Sequence, residues 1–268
     1  MSKLSKAIYE IHHMDALANK DQWMNRIHPL VKFVLTVLYI GVVVSFPKYN
    51  LVGLVGMAIY PLVIFMIGDL SFSDSIYRLR IVLPLVCFVG LFNPFFDRVP
   101  IAQVGGFTVT AGMLSMVTLM LKGVFTVLAS YILIATTTIE KICYALRLLH
   151  VPAFFVTQLM LTYRYVSVLL AEANRIMQAY SLRAPNQKGV HFKVWGSLTG
   201  QLLLRSMDRA SEVYESMCLR GYTGEYYFAS DIRAKGKDYL YLFFWCAVFA
   251  GFRIFPVLNI VGSLIIIQ

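Results

Sequence analysis

Two tripeptides of the same build stand apart in this chain: Leu182-Arg183-Ala184, followed by Pro185, and Leu219-Arg220-Gly221, followed by Tyr222. Proline and glycine stop helices, so each arginine is expected in the last turn of one. An arginine there supports two kinds of chemistry. It can bond the free carbonyls of its own helix end and complement the helix dipole. Alternatively, its planar guanidinium makes paired hydrogen bonds to carboxylates, and two like-ended helices can offer two such forks to two equivalent acceptors. The second reading makes the pair an interaction site with nothing to catalyse.

Other chemistry finds less support. His12-His13-Met14-Asp15 has ligand-type residues, but neighbours on a helix point about 100° apart and imidazole selects no single metal. A solvated segment is expected there, and no metal site or cofactor is assigned. Cys87, Cys143, Cys218 and Cys246 lack motif spacing and read as reduced packing residues. No G-x-x-x-x-G-K-[ST] occurs, so nothing is placed to cradle phosphates. A membrane-embedded lipid or prenyl transferase would need an acidic cluster of the D-x-x-x-D type, which only Asp69 and Asp74 approach. A self-sufficient carrier would be expected to show duplicated spans, and none is visible.

The elements that must hold the arginines are set by composition. Of the 268 residues, 59% are hydrophobic and 14% charged, a balance that excludes disorder and disfavours a soluble enzyme. Apolar runs at Leu30–Phe46, Leu51–Gly68, Ile81–Phe92, Ala111–Ala135 and Tyr239–Ile267 predict about five membrane helices. The third is short and must borrow flanking residues or be sheltered by protein. Gly105–Thr110 reads as a turn-rich loop. The first 29 residues show no secretory leader, so the first span is expected to act as the targeting signal.

Net charge is +10, but the basic residues do not form one patch, and topology accounts for them better than nucleic acid. The stretch Thr136–Lys237 holds 13 Lys+Arg against 7 Asp+Glu, while the Phe46–Leu51 turn has only Lys48 and the Asn93–Thr110 loop only Arg98. The amino terminus and residues 136–237 are therefore expected in the cytoplasm of a cell (inner or plasma) membrane. The expected organisation is an amino-terminal segment 1–29, a four-span region 30–135, a cytoplasmic region 136–237 and a carboxyl-terminal helix 238–268. Within 136–237, Leu159, Tyr163, Val166, Leu170, Ala173 and Met177 form an apolar stripe. Leu203, Met207, Ala210, Tyr214 and Met217 form a second one. Both predict long amphipathic helices that meet another protein. The fold class is thus all-α: membrane helices plus long amphipathic cytoplasmic ones.

Several segments in fixed order resemble the transmembrane T components of energy-coupling factor (ECF) transporters, a class of ABC importer, and the CbiQ type of cobalt systems most closely. They are Asp15-Ala16-Leu17-Ala18, Asn25-Arg26-Ile27-His28-Pro29-Leu30-Val31-Lys32, Leu146-Arg147-Leu148-Leu149-His150-Val151-Pro152, Leu161-Thr162-Tyr163-Arg164-Tyr165 and Arg205–Ala210 leading to Ser216–Gly224. The resemblance implies a non-catalytic permease subunit of a cobalt(II) importer. Its implied partners are two ATP-binding-cassette ATPases, which carry hydrolysis, and a membrane substrate-binding (S- or M-type) subunit. A small accessory membrane subunit is a further candidate. The implied ATPase contacts are Arg183 and Arg220 with Leu182, Ala184, Leu219 and Gly221; Arg205, Arg209, Met207 and Met217 would support them. The family tripeptide is usually Ala-Arg-Gly or Ala-Arg-Ser, and the leucines and Pro185 depart from it. Nickel transport, or a shared T component for vitamin-binding subunits, remains open beside cobalt.

Lys122, in the fourth apolar run, is expected to meet a partner inside the bundle or to reach its edge. Gly53, Gly56, Gly196 and Gly200 are expected to let helices approach closely.

Overall fold

The structure, a computed structural model, describes Tyr9, His13 and residues 15–20, 22–48, 50–68, 72–96, 100–104, 107–185, 189–224 and 234–254. The described helices are α1 (Trp23–Arg26), α2 (Pro29–Ser45), α3 (Leu51–Gly56), α4 (Ile59–Ile67), α5 (Phe72–Leu91) and α6 (Asn93–Phe96). After a hairpin come α7 (Ala111–Thr136), α8 (Ile139–Leu148), α9 (Ala153–Arg183), α10 (Phe192–Leu219) and α11 (Gly236–Ile254). The helical class expected from sequence is the one adopted. The hairpin, β1 (Pro100–Val104) antiparallel to β2 (Phe107–Thr110), stands where the sequence suggested only a turn-rich loop. Alternating Phe107-Thr108-Val109-Thr110 has strand periodicity, which the neighbouring glycines masked.

The chain divides into two compact units, residues 18–137 with 232–268 and residues 1–17 with 138–231. In the first unit the motif around Pro29 builds a helix start. Asn25 Nδ2 donates to the carbonyls of Lys20 at 2.7 Å and Ala18 at 3.2 Å. His28 is the N-cap of α2, its Nδ1 accepting from Leu30 N at 3.3 Å, and Pro29 takes the first helical position, where a missing N–H costs nothing. Lys32, buried on the next turn, donates from Nζ to the carbonyl of Thr136 at 2.7 Å. One ammonium thus meets a free carbonyl at the carboxyl end of α7.

α2 packs against α7 and α11 in this unit. Tyr39 is fully buried, its ring 4.7 Å from Tyr60 and 5.2 Å from Phe249, and Trp245 meets Tyr60 edge-on at 4.8 Å. The second apolar run is broken into α3 and α4 because Pro61 has no N–H to give to the carbonyl four residues back. That carbonyl is Met57 O, and Tyr39 donates its hydroxyl to it at 3.0 Å. A break that would leave an unmet acceptor among apolar residues is thereby tolerated. The third expected span borrows the polar residues before it and becomes the 20-residue α5. A Cβ on Gly123 would meet Val86 at 3.1 Å, and one on Gly56 would strike Phe252 at 2.7 Å. Gly56 therefore sets the approach of α3 to α11, as expected. Gly196 and Gly200 do not act in this way, since among the described residues nothing lies within 4 Å of a Cβ at either.

α7 is long and apolar enough to cross a bilayer, and by length and composition so is α9, which the charge count assigns to the cytoplasm and which carries Arg164, Glu172, Arg175 and Arg183; Pro29–Ser45, Gly53–Ile67 and Val82–Leu91 are shorter apolar helices. Residues of the expected last span beyond Ile254 lie outside the described residues, as do His12, Met14 and Asp69.

Candidate functional site

The second unit is built on α8, α9 and α10. Thr138 caps α8 by accepting from Lys141 N at 3.4 Å. The helix ends where Val151 N reaches Leu146 O at 3.2 Å and His150 N reaches Arg147 O at 3.1 Å. This double closure places the residue after the cap in the left-handed region, and His150 has φ +63°. Pro152 then starts α9. Asp15 joins the unit by accepting the Tyr163 hydroxyl at 2.8 Å. Two of the motifs quoted from sequence are therefore bonded to one another.

α9 and α10 form an antiparallel pair. Glu172 on α9 takes a charged hydrogen bond from Arg205 on α10, and Phe154, near the start of α9, shares a cleft with Tyr222, just past the end of α10. With 1.5 Å of rise per residue, that register sets the two arginine-bearing ends roughly 40 Å apart along the hairpin. Arg183 belongs to the last turn of α9, where Ala184 N returns to Tyr180 O at 3.0 Å. Arg220 is the cap residue of α10, and the helix closes by Tyr222 N to Met217 O at 3.0 Å and Gly221 N to Cys218 O at 2.9 Å, with Gly221 at φ +82°. Only glycine adopts that φ without strain.

This closure weighs on the choice between helix capping and an interaction site. The carbonyls an Arg220 cap would serve already have backbone donors, so its guanidinium is not needed at the helix end. Both arginines are exposed, and among the described residues no hydrogen bond or ion pair engages either side chain. Leu182 is 83% exposed and Leu219 89%. Each end thus projects an apolar side chain beside a guanidinium, the composition of an interface anchor.

The supporting residues divide. Met207 is exposed, and Met217 lines the cleft between the two helices. Arg209 pairs with Glu212 at 3.2 Å on its own helix. Arg205 is held across the hairpin by Glu172, whose side chain is only 19% exposed and also meets Arg175 at 3.4 Å. Glu172 was missed in the sequence because it sits opposite the apolar stripe and looks solvated. Its partner lies on another helix, so no local spacing reveals the pair.

Lys122 proves to be structural. Its Nζ donates to Phe46 O at 2.6 Å and Val44 O at 3.0 Å, while Arg253 donates to Ser45 O at 3.1 Å and lies over the Phe46 ring. Two cations thus crown the carboxyl end of α2, where the dipole favours them. Of the cysteines, Cys143 is buried, Cys87 and Cys246 are half-buried, and Cys218 is exposed and so is not a packing residue. Among the described residues no three His, Cys, Asp or Glu side chains converge as a metal site.

Fold and site together define a helical membrane protein whose most accessible chemistry is a pair of arginine-tipped helix ends. A family model described as CbiQ, cobalt transport protein, matches residues 20–228, and the chain belongs to that family. It is 30% identical over 107 residues to the nickel permease LarQ of Lactiplantibacillus plantarum, covering 40% of this chain and 39% of the relative. It is 28% identical over 135 residues to the uncharacterized protein MJ1571 of Methanocaldococcus jannaschii, covering 50% and 46%. The chain thus spans less than half the length of these curated relatives.

Proposed function

We propose that this chain is the coupling subunit of an ECF-type importer, joining two cytoplasmic ABC ATPases to a separate membrane subunit that holds the substrate. The observation that carries the reading is the antiparallel α9–α10 pair. It places two unengaged guanidiniums at opposite ends, too far apart for one ligand and suited to two like partners. ATP-driven closure of the ATPases would move the two ends together, and the membrane helices would pass that motion to the substrate-binding subunit. Hydrolysis belongs to the partners. The protein spans the cell membrane with its amino terminus and residues 136–237 in the cytoplasm, as the basic residues of its connections favour.

Cobalt(II) is the substrate the family description favours. Nickel(II) is a second reading, favoured by the likeness to a nickel permease. Uptake of each metal by cells carrying the full transporter separates them.

The test of coupling is a comparison of Arg220→Ala, Arg220→Lys, Arg183→Ala and the double alanine variant, each scored for membrane insertion, ATPase pull-down and metal uptake. Coupling requires normal insertion with lost uptake, loss of ATPase association in the double variant, and poor rescue by lysine, which keeps the charge but not the fork. Truncating such a contact costs about 2–5 kcal/mol when it is buried in an interface. Full uptake by the double variant at normal protein levels refutes the reading.

A further inference from the structure

Arg220 does not stand alone at its end of the hairpin. A cleft of about 550 Å³ between α9 and α10 is lined by three arginines, Arg164 from α9 with Arg209 and Arg220 from α10, against a single carboxylate, Glu212. Glu212 neutralises only Arg209. The floor of this cleft is apolar, made by Leu161, Val213 and Met217. Tyr165 and Ser216 also line it, the Ser216 hydroxyl donating to the Glu212 main-chain carbonyl at 2.7 Å.

We propose that Arg164 and Arg209 join Arg220 in a basic cleft that receives an acidic, apolar-tipped segment of the ATPase docked at this end. The inference rests on the coupling reading and gives it a second helix. The excess positive charge requires an anionic occupant, and the apolar floor requires that the occupant also carry a hydrophobic side chain. A peptide segment meets both demands. It also supplies amide donors for the Glu212 carboxylate, whereas a phosphate group offers acceptors only. Arg164 comes from the opposite helix to Arg220, so one bound segment would bridge α9 and α10. Force from that ATPase would then enter both helices together.

The experiment uses the complete transporter, this chain assembled with its ATPases and substrate-binding subunit, and follows ATPase retention against salt. Arg164 is exposed, so Arg164→Gln and Arg164→Glu should leave insertion and helical content intact. Retention is expected to fall about tenfold or more for Arg164→Glu, and less for Arg164→Gln. A weaker salt dependence is also expected, since one charged contact is gone. Arg164→Glu that holds its ATPases like the unaltered chain, while the Arg183→Ala/Arg220→Ala double variant loses them, overturns the cleft and leaves the coupling reading standing. Retention by all three variants overturns both. Unchanged ATPase retention with loss of co-purifying anionic phospholipid from Arg164→Glu also overturns the proposal, assigning the cleft to lipid.

Discussion

At the residue scale the chain uses charge and backbone geometry to finish its helix ends, and each device can be tested. His150 holds a left-handed φ of +63° at the end of α8, a conformation that costs a side chain roughly 1–2 kcal/mol. Histidine is among the side chains that accept it more readily than most, and a β-branched residue accepts it poorly. His150→Val should therefore lower the thermal midpoint of the assembled transporter, and His150→Gly should leave it unchanged or raise it. Lys122→Met keeps the length and apolar stem but removes the donor to Val44 and Phe46. It should destabilise the membrane unit without changing which metal is carried, read as lower stability in detergent with unaltered substrate preference. Burial pushes the Cys143 thiol up from its ordinary range, and the Glu140 carboxylate adds to that shift. A raised thiol pKa favours the neutral form in the folded state. Its contribution to stability is present below the ordinary thiol range and lost as pH rises through the folded value. Alkylation at neutral pH should label exposed Cys218 quickly and spare Cys143 until the protein unfolds. Rapid labelling of Cys143 in the folded transporter would contradict its burial.

At the scale of elements, the α9–α10 hairpin depends heavily on one carboxylate. α10 buries none of its residues, so its attachment to α9 rests on half-covered apolar contacts and on Glu172 holding Arg205. Glu172→Ala should loosen the hairpin by about 1 kcal/mol, because the pair is partly exposed, and should weaken transport more than ATPase binding. The exchange Glu172→Arg with Arg205→Glu should recover transport if the pair positions the helices. If the exchange is as impaired as either single change, while both helices remain folded, the clamp has been misread. This element also shows what the sequence could disclose. The apolar stripes and stop signals predicted α9 and α10 and put Arg183 and Arg220 at their ends, because those features are periodic or local. The clamp, the Asp15–Tyr163 bond and the Lys32–Thr136 bond join residues far apart in the chain. Their spacing in sequence carries no trace of the pairing. The split of the second apolar run into α3 and α4 was legible in principle from Pro61. What sequence could not supply was the Tyr39 hydroxyl that makes the break affordable. Arg205 and Arg209 read as further contacts from sequence, and each also has an acidic partner within the chain, Glu172 across the hairpin and Glu212 on the same helix.

For the whole molecule, the decisive quantity is apolar surface left open in the unit that carries the arginines. Phe154, Phe155, Phe192, Trp195, Leu203, Leu204, Leu182 and Leu219 are all exposed there, more than an isolated surface leaves bare without consequence. Orientation decides what can cover it. A reporter placed after Gln187 should behave as cytoplasmic, and one placed between Val104 and Phe107 as external; the reverse result would put both arginines out of reach of ATPases. With that orientation, assembly should change the behaviour of the chain in a measurable way. In mild detergent the isolated chain should self-associate, and a protease should cut first in the 184–191 connection and past Tyr222, near the two arginine ends. Adding the ATPases should protect both sites and give one sharp species. Arg183→Ala should lose protection chiefly at the 184–191 connection and Arg220→Ala chiefly past Tyr222, since the ends lie at opposite poles of the hairpin. If each single variant exposes both sites equally, the two ends do not take separate partners. If the isolated chain is already monodisperse and resistant at both sites, the open surface is not an interface waiting to be filled.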